Sequence, residues 1–103
     1  MKTILMIAVL AAGAATFSAA PVQAGAIERA CMGSDRKAAS RSLCGCIQQV
    51  ADMMLDRRDQ RLAAKFFKDP HKAQEVRQSK TDRDNVFWKK YRQFGDTATA
   101  YCS

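Results

Sequence analysis

Four cysteines, Cys31, Cys44, Cys46 and Cys102, all lie in residues 25–103, behind an apolar N-terminal run. A chain this short buries too little apolar surface to be comfortably stable, and exported chains of that size commonly add disulfides. An even cysteine count in an oxidising compartment reads as two bridges, for which three pairings exist. A loop of about 15 residues closed from Cys31 and a longer one to Cys102 would stabilise the fold by roughly 3 and 4 kcal/mol. Those sums rival the whole stability expected of such a domain.

The export reading rests on the first 24 residues. Met1-Lys2-Thr3 gives a short positive start, and Ile4 to Ala15 is an uncharged apolar run of signal-peptide length, too short to span a bilayer. Pro21 then breaks helix, and Val22-Gln23-Ala24 places small side chains one and three residues before a cut after Ala24. We therefore expect residues 1–24 to be a cleaved signal peptide. Residues 25–103 would then form a small disulfide-linked domain, periplasmic or secreted, with no second hydrophobic segment and no membrane span.

Helical periodicity runs through the remainder, and no segment alternates like a strand. Ile27 to Met32 predicts a short first helix ended by Gly33. Leu43, Cys46, Ile47, Val50, Met53 and Met54 recur at helical spacing, with Ser40 or Ser42 as cap and polar Gln48, Gln49 and Asp52 between them. Asp56, with Asp59 three residues on, opens a helix whose inner side carries Leu62, Ala63, Phe66 and Phe67. Asp69-Pro70 is a cap followed by proline at the first helical position, starting a helix to about Gln78. Thr81 or Asp82 caps the last helix, where Phe87, Tyr91, Phe94, Ala98 and Tyr101 step by 4, 3, 4 and 3. Gly95 marks a kink or break in it. The fold expected is all-α, a small bundle of four to five short helices stapled by two disulfides. On the second helix Cys44 and Cys46 stand about 200° apart, so one should pair with Cys31 and the other with Cys102. Both assignments remain open.

Motifs for chemistry are few. Cys44-Gly45-Cys46 places two thiols one residue apart, a pattern able to bind copper(I) or exchange thiols, with Met32, Met53 and Met54 as further soft ligands. Two other cysteines are present as partners, which favours structural bridges. There is no Cys-x-x-Cys, and His71 is the single histidine, so no histidine-based zinc site or catalytic triad can be assembled. Carboxylates alternate with basic residues in Asp56-Arg57-Arg58-Asp59 and Asp82-Arg83-Asp84, the pattern of a solvated, ion-paired surface. No glycine-rich phosphate loop occurs. We expect no enzyme, no cofactor and no bound metal.

What the chain does carry is positive charge: 17 Lys and Arg against 10 Asp and Glu, a formal +7, of which only Lys2 precedes Gly25. Arg57, Arg58, Arg61, Lys65 and Lys68 occupy the outer face of the third helix, and Lys89 and Lys90, with Arg92, lie on the last. These seven, Arg57 through Lys90, are the candidate contacts for an anionic partner, either an envelope component or an acidic protein. Arg36, Lys37 and Arg41 form a further basic group. Nucleic acid is excluded by the expected compartment. Trp88 and Tyr91 interleave with the lysines, although Phe87 and Trp88 read as core.

The segments IERACMGSDRKAASRSLCGCIQQVAD, DQRLAAKFFKDPHKAQEVRQS, FWKKYRQFG and AYC, spanning Ile27 to Cys102, resemble a family of short, uncharacterised exported bacterial proteins sometimes automatically labelled "arginine transporter". A mature chain without a membrane span cannot itself carry a solute across a bilayer. The resemblance therefore implies a role accessory to basic amino-acid transport, and it supplies no site residues.

Overall fold

A computed structural model describes residues 25–103 and, upstream, Gly13 alone. Gly13 apart, the expected signal peptide lies outside the described residues, as does the Ala24 side of its cleavage site. Five α-helices follow in order: α1 (Ala26–Met32), α2 (Arg41–Met54), α3 (Arg57–Lys68), α4 (Pro70–Gln78) and α5 (Asp82–Cys102). Among the described residues there is no strand. Helix α1 packs on α2 and α3, α2 on α5, and α4 on both α3 and α5.

Local chemistry sets the helix starts. The Ser40 hydroxyl accepts from the Leu43 amide at 3.1 Å, the Asp56 carboxylate from the Asp59 amide at 2.8 Å, and the Thr81 hydroxyl from the Asp84 amide at 3.2 Å. Each cap satisfies one of the backbone donors that a helix N-terminus leaves free. Asp69 caps α4 with Pro70 in its first turn. Helix α1 differs, because Gly25 at its N-cap has no side chain to offer. There the Gln48 side chain, from α2, accepts from the Glu28 amide at 2.9 Å. Its carboxamide lies so close that a Cβ on Gly25 would collide with it.

Ile27, Val50, Ala51, Leu55, Ala63, Phe66, Val76, Phe87, Phe94 and Ala98 make one contiguous core. Phe66 stands edge-on to Phe87 and Tyr91, with ring centroids 5.9 and 5.2 Å apart. Trp88 packs on the flank of this cluster, as expected of core aromatics.

The cysteine pairing is Cys31–Cys44 and Cys46–Cys102, with Cα–Cα distances of 5.5 and 5.8 Å. Three expectations are corrected. Helix α5 runs unbroken through Gly95, since a single glycine weakens a helix by only about 1 kcal/mol, which the core contacts of Phe94 and Ala98 offset. Tyr101 is 77% exposed, so the apolar stripe does not end on it. The inward register continues from Phe94 and Ala98 to Cys102, whose bridge holds it against the core. Met53, a candidate soft ligand, is likewise outside the core at 74% exposure.

Candidate anion-binding face

Helix α3 is set in place by a buried polar lattice. Gln60, on its inner side, donates to the Leu55 and Ala51 carbonyls at 3.0 and 3.3 Å. Gln48 donates to Gln60 Oε1 and to Asp52 Oδ1, both at 2.8 Å. Since Gln48 also caps α1, one amide side chain links three helices. Buried polar groups are stable only when so satisfied, and among the described residues no buried side-chain polar atom lacks a partner. With Gln60, Ala63 and Phe66 turned inward, helical geometry turns Arg57, Arg58, Arg61, Lys65 and Lys68 outward, and all five are exposed.

None of those five forms an ion pair among the described residues, where the pairs are His71–Glu75, Lys72–Glu75 and Lys90–Asp59. Folding adds a sixth cation. Arg29, exposed on α1, lines a recess of about 370 Å³ with Lys65 and Lys68, floored by Ala26, Ala30 and Ala64. It also lines a second recess, of about 480 Å³, with Arg57, Arg61, Gln48, Gln60 and Asp52. The α1–α3 seam is therefore bordered by four cations of α3 and by Arg29 of α1. Asp52 is its single carboxylate, and that group accepts from Gln48 and Gln60.

The other candidate contacts lie elsewhere. Lys90 donates to Asp59 at 2.9 Å, and this hydrogen bond and the carboxylate's charge raise its pKa above the ordinary lysine value. It lines a cleft of about 650 Å³ between α3 and α5, where Asp56, Asp59, Asp82 and Asp84 face Arg58, Arg61, Lys65 and Arg83. That cleft is roomier than either recess of the seam, but four aspartates offset most of its positive charge. Lys89 lines a shallow recess on α5 with Trp88, Arg92 and Asp96, which shares no residue with the seam. Arg36 sits 5.6 Å from the centre of the Phe67 ring, a cation–π geometry. Its charge partly offsets the rise that burial imposes on the Tyr91 hydroxyl pKa. Cys44 and Cys46 serve separate bridges and no cysteine is free, so in this state neither offers a thiolate. Among the described residues no helix is long and apolar enough to cross a membrane.

Fold and face together define a class: a disulfide-stapled five-helix domain with an unpaired cationic seam. Comparison with protein-family models, curated proteins and solved structures finds no match. Two disulfides and the lack of a spanning helix among the described residues fit an extracellular or periplasmic protein.

Proposed function

We propose that this chain is a non-enzymatic binding module of the periplasm or the secreted space, exported by a signal peptide cut after Ala24, that holds an anionic partner on the α1–α3 face. The observation that carries the reading is the row of exposed α3 cations without ion-pair partners, joined by Arg29 from α1. Exposed charges of one sign attract an opposite surface over about one Debye length and lose that attraction in salt.

The test is retention of the oxidised protein on phosphatidylglycerol vesicles and on a sulfated polysaccharide, across a salt series. Reversing Arg61 and Lys65 to Glu should weaken retention by roughly tenfold or more, whereas reversing Arg83 and Lys89, an equal change in net charge, should cost far less. Equal losses in the two double variants would reduce the face to bulk charge, and no retention at low salt would end the reading.

A role accessory to arginine transport draws on a different feature, the four aspartates of the α3–α5 cleft. It requires saturable arginine binding that disappears in an Asp82→Asn, Asp84→Asn variant.

A further inference from the structure

We infer that the α1–α3 seam seats a single extended phosphate polymer, without bases, lying between Arg29 on one wall and the α3 cations on the other. This rests on the anionic-partner reading above and says what the partner is. From Arg57 to Lys68 the α3 wall runs about 16 Å along the helix axis, long enough to meet several successive charges of one chain. The cations border two adjoining recesses, which share Ala26 and Arg29, instead of crowning a convex surface. Arg57 and Arg61 line one, Lys65 and Lys68 the other, and Arg29 both.

The floor explains why a chain can enter. Ala26, Ala30 and Ala64 meet there, and methyl side chains on both helices leave a trough that larger residues would fill. A planar headgroup surface would instead settle on the outermost side chains, Arg58 among them, and Arg58 lines only the α3–α5 cleft. The seam also offers nothing on which a nucleobase could stack, because the aromatic residues cluster between α3 and α5. Single-strand nucleic-acid sites depend on such stacking platforms. A backbone of phosphates alone matches what the walls provide.

Five cations predict the salt response. At about 0.7 per neutralised charge on a single strand, the affinity should follow salt with a log–log slope near −3.5, a fall of roughly 100-fold between 50 and 200 mM. Long-chain inorganic polyphosphate is the probe, measured by titration calorimetry on the oxidised protein. Triphosphate, phosphatidylglycerol vesicles and an oligothymidylate run in parallel. We expect polyphosphate to bind most tightly. Arg29→Gln should weaken it about tenfold and lower the slope by about 0.7, while Arg58→Gln, the same change in net charge outside the seam, should weaken it far less. Ala64→Leu, which fills the floor without touching charge, should weaken the polymer more than the vesicles. Should Ala64→Leu disturb thermal melting, the Arg29 and Arg58 variants decide alone. Equal effects of those two variants, or tighter binding of vesicles, triphosphate or oligothymidylate, would overturn the seam and leave the anionic face standing. Failure to bind any polyanion at low salt would remove both.

Discussion

The two disulfides fasten opposite ends of the helical chain and act on different quantities. Cys31–Cys44 spans 13 residues, both its cysteines are buried, and it anchors α1, a helix of 7 residues. Cys46–Cys102 spans 56 residues, is half-buried at both ends, and anchors the last turn of a helix of 21 residues. An isolated helix shorter than about 12 residues does not persist in water, so α1 depends on its bridge, on Ile27 and on the Gln48 cap. Helix α5 already places Phe87, Phe94 and Ala98 in the core. Its bridge acts chiefly on the unfolded chain, whose freedom it limits over most of the domain. The same covalent bond is a local anchor at one end and a global restraint at the other.

Four measurements break or sharpen that contrast. The largest effect is expected from Cys46→Ala with Cys102→Ala, which should lower the free energy of unfolding by about 4 kcal/mol while the native state keeps its helical content. Urea unfolding followed by circular dichroism gives both quantities. Cys31→Ala with Cys44→Ala should cost about 3 kcal/mol, with a different signature. Amide exchange should accelerate in α1 well beyond the rest of the molecule, and uniform exchange would erase the distinction. Gln48→Leu should cost about 2 kcal/mol, because the Glu28 amide and Gln60 Oε1 lose their partner. If α1 exchange does not change in that variant, the disulfide and Ile27 hold the helix without the cap.

The smallest effect is alkaline and belongs to the α5 end. Lys90, held by Asp59, and Tyr91, raised by burial, both have folded pKa values above their ordinary ones. The unfolded chain therefore releases these protons first. Their contribution is fully present at neutral pH and is lost as pH rises through about 10 and beyond. Urea midpoints should fall over that range, and less steeply in Tyr91→Phe.

Legibility followed the range of the interaction involved. Ser40, Asp56, Asp69 with Pro70, and Thr81 announce four helix starts, because a cap acts within three residues of itself. The opposed directions of Cys44 and Cys46 follow from helix geometry, but which sulfur meets Cys31 depends on how α1 lies across α2. Gln48 reads as an ordinary polar position between apolar ones, and only the approach of α1 and α3 makes it a buried cap. Spacing alone does not place Tyr101, since a 4, 3, 4, 3 count fits it as well as 4 and 4, which lead from Phe94 to Cys102. At the candidate site, the α3 cations are visible as a periodic face. Arg29 is not, being 36 residues before Lys65 in the chain. Lys90 looks like a free cation until Asp59 is found beside it.

Gly45 alone separates the two half-cystines of α2. The oxidised domain is consequently a pair of covalent rings joined through one residue, a small ring from Cys31 to Cys44 and a large one from Cys46 to Cys102. Helices α3 and α4 lie wholly within the large ring, while Arg29 stands outside both, on the tail that enters the small one. A protease cutting at the exposed Lys80 would open the large ring without releasing a fragment. Only reduction would then set residues 81–103 apart, and both walls of the α1–α3 seam lie in the chain before that cut.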